Sequence, residues 1–564
     1  MSIQPDPAKK IAGFLAPLFA VRGQHDLGIG DVATLRELVD WAAAHDFGFV
    51  QMLPINETGC DHSPYNLFSS MAIEPLTISC HPNDLPDLSR IAYKRVAEQT
   101  KELQTGPVQY ERVAPIKRQM LELACAAFFR KNPSGTEEYN RFCEIEAEWL
   151  DAYSLCKALA EFNKANEVYT NWPEEHRSFE SATYWLAKQP ATVRKRIEKL
   201  RDFFRYTQWI AAKQWHAANE YAASRGILLI GDVPVGVSIY SADVWAEPHL
   251  FDLTRSCGAP PEKVFRSDPF TEQWGQNWGF PLYNWFAMSK DNFRWWRRRL
   301  QALKRIFAML RLDHVLGFYR IYSFPWRPER NAEFVGLTPE QARTKTGGVL
   351  PGFVPNDDDT PEHREANRVH GEVLLGVFIE ETGAECLIAE DLGEVPPYVR
   401  PSLRKLGVPG FKIPQWEIEP DGTLTPGAKY PRLAIATYAT HDHPPLITMW
   451  EEKRALAESG ASTPDAEAAR RELRGLLGFC GLPDSPIPPF SDELLGALLR
   501  SLFASNAWLA AVNVNDLFGT PDRFNTPGTT SGQNWTARLA PPVSEWDRVF
   551  ARPISKWRDS LPRA

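Results

Sequence analysis

Phe307-Ala308-Met309-Leu310-Arg311-Leu312-Asp313, followed by His314, is an apolar run that stops on a carboxylate. It is too short for a helix of ordinary length and reads as a buried strand. Seven runs of the same kind recur along the chain: Ile11–Leu18, Phe47–Leu53, Ile227–Val233, Cys386–Glu390, Gly410–Trp416, Leu433–Asp442 and Trp508–Asp516. Helical patterns separate them. Leu35, Leu38, Val39 and Ala42 share one helical face, and Phe293, Trp296, Leu300 and Leu303 repeat at spacings of three and four. Strands alternating with helices predict parallel strands joined by crossover helices, and eight of them close a (β/α)8, or TIM, barrel. In that α/β fold the reactive groups sit at the C-terminal strand ends, where the βα loops converge. Asp232, Asp313, Glu390 and Asp442 come at or next to the end of a run, as does Asp516.

Two gaps are too long for simple crossovers. The first, Pro54 to Gly226, is charged, aromatic and helix-like in its middle, and predicts an inserted helical subdomain over approximately residues 70–205. The second carries Trp274-Gly275-Gln276-Asn277-Trp278-Gly279 and predicts an inserted loop region over the cleft, approximately residues 235–290. The whole chain, 1–564, is then one catalytic barrel with insertions.

Composition narrows the function class. Of 564 residues, 43% are apolar and 24% charged, the balance of an ordinary globular protein, and no apolar stretch is long enough to span a membrane. The polar start lacks a cleavable leader pattern. Eight cysteines without a C-x-x-C pair predict reduced thiols and a cytoplasmic location. A net charge of −8 with mostly interspersed basic residues argues against a nucleic-acid or anionic-membrane partner. The 19 tryptophans serve cores or sugar-stacking platforms equally well by chemistry, with core burial the commoner use.

Glycosidic cleavage asks for one protonated carboxyl to donate to the leaving oxygen and a second carboxylate to attack or to activate water, because the transition state is positive. Arg311-Leu312-Asp313-His314, Ala389-Glu390-Asp391-Leu392-Gly393 and Thr440-His441-Asp442-His443 supply three acids that only a fold can bring together. Singly, each acid reads as the cap of a following helix; three together weaken that reading. A divalent metal site is the rival, since His314, His441 and His443 stand beside the acids, yet no tight ligand pair exists beyond His441-Asp442-His443.

These motifs do not stand alone. Leu15, Pro17 and Leu18; Gly28-Ile29-Gly30-Asp31; Leu53-Pro54; Ser63-Pro64-Tyr65; Gly231-Asp232-Val233-Pro234; Gly258-Ala259-Pro260-Pro261; Gly275-Gln276-Asn277-Trp278-Gly279; Asn525-Thr526-Pro527-Gly528-Thr529; and Asn534-Trp535 accompany the three acid motifs. In this order, over nearly the whole chain, the sequence resembles the amylomaltases, the 4-α-glucanotransferases or disproportionating enzymes of glycoside hydrolase family 77.

The resemblance implies Asp313 as nucleophile, Glu390 as acid/base and Asp442 as the stabiliser that binds ring hydroxyls. It implies that Arg311 orients Asp313 and keeps it ionised, and that His314 and His441 hydrogen-bond the sugar. Tyr65 would stack on the sugar upstream of the bond, and Asp232 would be the third-strand acid that orders the site. Gln276 and Trp278 would lie on the loop covering the cleft, Trp278 serving packing equally. Implied too are α-1,4-glucan or maltooligosaccharide substrates, retention through a covalent glucosyl-enzyme, about 5–5.5 Å between the Asp313 and Glu390 carboxyls, no metal or organic cofactor, and no extra N-terminal domain. An amylase-type hydrolase would share the acids; a glucan-binding protein without turnover would not need all three.

The chain departs from the family pattern at His443-Pro444-Pro445, at Glu262 where Asp is usual, in a lengthened Phe265–Trp274 loop and at Asp26-Leu27. These departures bear on acceptor and product profile more than on the reaction.

Overall fold

The computed structural model describes residues 4–59, 61–261, 268–460, 462–529 and 532–562. Cys60, Glu262 and the start of the Phe265–Trp274 loop lie outside the described residues. Eight strands form a closed barrel: β1 (Ile11–Leu15), β2 (Phe49–Gln51), β3 (Leu228–Val233), β4 (Met309–Leu312), β5 (Leu387–Ala389), β6 (Gly410–Lys412), β7 (Ala434–Ala436) and β8 (Leu509–Asn513). Each lies inside one of the eight expected runs. They pair in parallel in chain order, and β8 closes on β1 through Ile11 opposite Leu509.

Side chains alternate across a strand, so every second residue faces the barrel axis. Leu228 and Ile230, Met309, Ile388, Phe411, Ile435 and Leu509 form the inner apolar cluster. Continuing the same faces by two residues at a time brings Asp232, then Arg311 and Asp313, then Glu390. The floor of the barrel is therefore apolar and its mouth charged. Leu229, Leu310, Leu312, Leu387 and Ala389 face outward into the larger core under the helices. The first crossover helix, Val32–Ala44, buries the expected Leu35, Leu38, Val39 and Ala42, and Asp31 caps it by accepting from the Ala33 and Thr34 amides.

Seven of the eight strands stop short of the end of their run, and three of these shortfalls displace residues from strand to turn. β6 stops at Lys412 and gives way to a 3-10 turn at Pro414–Trp416, because a proline cannot donate to the ladder. β7 stops at Ala436, so Asp442 stands on a later turn rather than at a strand end. Asp516 belongs to a helical turn, Val514–Phe518, after β8.

Between β2 and β3 lie the helices Arg90–Ala97, Tyr110–Lys131, Glu137–Ile145, Ala147–Phe162, Phe179–Ala187 and Ala191–Ser224. The last runs unbroken through residue 205 and packs on Val32–Ala44, with Trp215 against Phe307 at 5.9 Å. Its C-terminal half thus acts as a barrel crossover helix. Between β3 and β4, Ser256–Ala259 and Gln276–Asn277 join Ile321–Phe324 and Gly352–Val354 in a four-stranded antiparallel sheet. At Gly258 a β-carbon would stand 1.9 Å from the Gln276 carbonyl oxygen, so this pairing requires glycine.

The segment after β1 is tied to the chain that follows β8. Arg538 donates to Asp26 at 2.8 Å with both side chains almost fully buried, and Asp26 also accepts from the Gly23 and Gly28 amides. Removing one member of a buried ion pair strands the other charge. Asp26→Ala is expected to lower the unfolding free energy by about 3–5 kcal/mol, read as a lower urea midpoint; an unchanged midpoint would show that the clasp carries no stability.

Candidate active site

Asp232 and Arg311 are register partners on β3 and β4. Facing the same interior, they meet: Arg311 Nη1 donates to both Asp232 oxygens, at 2.8 and 2.7 Å. The same nitrogen donates to Asp313 Oδ1 at 3.1 Å, and Nη2 comes to 3.9 Å from Glu390 Oε2. One guanidinium thus reaches three carboxylates from three strands. Burial alone would lower its pKa, but Asp232 and the other acids outweigh that and hold it protonated. The Asp313 carboxylate also accepts from the Val235 amide at 3.4 Å, and its own amide donates to the Val233 carbonyl.

Glu390 is 9% exposed. It accepts from the His314 amide at 2.7 Å and the Leu392 amide at 3.0 Å. Burial pushes its carboxyl up to about 8; Arg311 works against the rise and Asp313 adds to it. Presenting that amide places His314 in the left-handed region at φ 44°. Burial in turn brings the His314 imidazole down to about 4, so it is neutral at neutral pH.

Asp442 has a different environment. Its side chain is 41% exposed, Asn525 Nδ2 donates to Oδ1 at 2.6 Å, and His441 Nε2 lies 3.4 Å from Oδ2. Partial desolvation opposes ionisation, but His441 and the Asn525 donor win and its pKa is lowered. His441 is buried, and desolvation lowers its pKa.

The aromatic residues complete the wall. The Tyr65 hydroxyl donates to Asp232 Oδ2 at 2.7 Å, and the Tyr65 ring stacks on His441 at 5.0 Å. Trp278 meets His314 edge-on at 5.0 Å, and its indole N–H donates to Gln276 Oε1 at 3.3 Å. Of the ten residues singled out from the sequence, nine line one cavity of about 1130 Å³; Asp232 is buried beneath it. Among the described residues no group of three His, Cys, Asp or Glu side chains is arranged to hold a metal ion. His443 has its Nδ1 engaged by Thr440, accepting from the Thr440 amide at 3.1 Å, and tilts against Trp416.

Asn525 was quoted for its motif and not assigned to the site; its amide beside Asp442 is the residue the sequence reading missed. Asp516 lies apart from the cavity and accepts from the Leu446 amide at 2.7 Å, at the start of the helix Leu446–Glu458. It thus satisfies the first amide of a helix distant in sequence.

A closed (β/α)8 barrel with carboxylates gathered at its C-terminal mouth is the arrangement of a barrel enzyme, whose reactive groups lie where the βα loops converge. The chain belongs to glycoside hydrolase family 77: the family model, described as 4-alpha-glucanotransferase, matches residues 16–544. The 4-alpha-glucanotransferase of Chlamydia caviae is 28% identical over 551 residues, covering 94% of this chain and 91% of its own length. That of Thermus thermophilus is 29% identical over 510 residues and 87% of either chain. The amylomaltase of Streptococcus agalactiae in complex with acarbose shares the fold with a TM-score of 0.75 at 24% identity, over 98% of each chain.

Asn525→Ala removes the amide that orients and charges Asp442. Losing one hydrogen bond to a charged group is worth about 1.5–3 kcal/mol, so kcat/KM for glucan transfer should fall by roughly tenfold or more with the melting temperature nearly unchanged. An undiminished kcat/KM would remove Asn525 from the site.

Proposed function

We propose that this enzyme transfers α-1,4-glucan segments between maltooligosaccharides with retention, by two displacements through a covalent glucosyl-enzyme. The observation that carries this reading is the single Arg311 guanidinium spanning Asp313 and Glu390, which keeps two acids of different character within one reaction volume. Glu390, raised by burial, holds a proton at neutral pH. It gives that proton to the glycosidic oxygen as an Asp313 oxygen bonds to the anomeric carbon and the C–O bond breaks. Glu390, now a carboxylate, takes the proton of an incoming 4-hydroxyl, whose oxygen displaces Asp313 from the same carbon. Asp442 remains ionised beside the positive transition state and accepts from ring hydroxyls.

His314, kept neutral by burial, can hydrogen-bond sugar hydroxyls without adding charge that would oppose the oxocarbenium, and burial disfavours the charged form of His441 too. Tyr65, Trp278 and Gln276 offer the apolar and polar wall on which a sugar ring packs. The two displacements balance without a metal or organic cofactor. The cavity volume, about 1130 Å³, is ample for a donor chain with an acceptor beside it. A cytosolic location is supported by the seven described cysteines, all free thiols and five of them buried.

Maltotriose as sole substrate separates transfer from hydrolysis. Transfer yields a ladder of longer oligosaccharides with glucose; glucose and maltose alone would overturn this reading in favour of a hydrolase. Asp313→Asn, whose amide cannot attack, should yield neither.

The pH profile has a definite sign on its alkaline side. The Glu390 carboxyl is raised, so its protonated form prevails below about 8 and is lost above it. kcat/KM for maltotriose should therefore fall as pH rises through about 8, towards tenfold per unit. A flat profile to pH 10 would assign the proton donor elsewhere.

A further inference from the structure

Arg299 lies on the helix Arg294–Lys304, behind the barrel wall, and is fully buried. Its guanidinium packs over the rings of Trp296 and Trp295, at 4.9 and 5.6 Å. Its Nη2 donates to the Pro234 carbonyl oxygen at 2.9 Å, and the buried Tyr283 hydroxyl is a further polar neighbour of the guanidinium. Such a charge costs the fold several kcal/mol of desolvation unless it is fully paired.

The carbonyl that Arg299 holds belongs to the Pro234–Val235 peptide. The other end of the same peptide, the Val235 N–H, points at Asp313 Oδ2 at 3.4 Å. Guanidinium, peptide and carboxylate thus form one donor-to-acceptor chain, in which the cation polarises the carbonyl and makes the amide a stronger donor. We infer that Arg299 is a positioning residue that acts on Asp313 through the Pro234–Val235 peptide, fixing the carboxylate opposite the side held by Arg311. The inference rests on the reading of Asp313 as nucleophile.

Asp313 is also faced by Arg311 from its own strand, Asp232 from β3, Glu390 from β5, and Tyr65, His314 and His441 from the loops. None of these changes when Arg299 is replaced. Asp243, whose field also reaches Arg299, is held by Ser70 and the Trp295 indole, which offers a purely structural role to be distinguished.

The test is kcat and KM for maltotriose disproportionation in Arg299→Met, Arg299→Lys and Asp313→Asn, each read beside its melting temperature. Arg299→Met leaves the Pro234 carbonyl without its donor and should lose roughly tenfold or more in kcat/KM, carried by kcat with KM nearly unchanged, while the protein stays folded at the assay temperature. Arg299→Lys, which keeps a charge and a donor, should recover most of the loss. A folded Arg299→Met with parental kcat would overturn the inference. So would loss of activity that merely follows loss of folded protein. Should Arg299→Met fail to fold, replacing the Pro234–Val235 amide by an ester, through a hydroxy acid at position 235, removes the N–H alone. The same fall in kcat is then expected, and its absence rejects the relay. An active Asp313→Asn would instead remove the nucleophile assignment, whereas an inactive one beside a parental Arg299→Met rejects only the role of Arg299.

Discussion

The buried pair of Arg311 and Asp232 is the constraint from which the site follows. Their register across β3 and β4 puts a cation and an anion on adjacent strands at one level of the barrel interior. Water cannot solvate either, so each depends on the other, and Tyr65 supplies the remaining donor to Asp232. A pair of this kind contributes little to stability compared with apolar residues of the same volume. What it provides is position. With one face bound to Asp232, Arg311 has its remaining reach directed at Asp313 and Glu390, and the loop carrying Tyr65 is tied to the same point.

Around that cation the acids are differentiated by their donors. Glu390 is enclosed and raised, in spite of two amide donors, because nearly all solvent has been taken from it. Asp442 retains solvent on one side and gains Asn525 and His441, and its ionised form is favoured. Environments this unlike let one cleft hold a protonated carboxyl and a carboxylate together. The His314 imidazole fits the same plan, since burial strips its charge while leaving its hydrogen-bonding capacity.

Much of the frame was legible because it rests on local signals. Short apolar runs, helical spacing between them and acids at their ends located all eight strands and the acids at the mouth. Signals failed where geometry is set by distant chain. β7 ends six residues before Asp442, and the turn that carries the acid back to the cleft leaves no periodic trace. Asn525 meets Asp442 across 83 residues, and nothing in its own neighbourhood marks it as a carboxylate partner. The antiparallel sheet beside the cleft includes strands of only two residues, too short for alternation to register. Asp516 marks the limit of that signal: it ends a run as the site acids do, yet accepts from the amide that begins the helix Leu446–Glu458.

The seam between β1 and β8 joins residues near opposite ends of the sequence, Ile11 with Leu509, and the Asp26–Arg538 clasp reinforces it from still later in the chain. During ribosomal synthesis at about 5–20 residues per second, β1 therefore waits for most of the translation time before its second neighbour exists. Its open edge, and that of each newest strand in turn, is exposed to other nascent chains throughout. The long helices between β2 and β3 emerge early in that interval, and their local contacts can form at once. A product ending before β8 would lack the strand that pairs with both β1 and β7, so closure of the barrel depends on the last strand to emerge rather than on any local step.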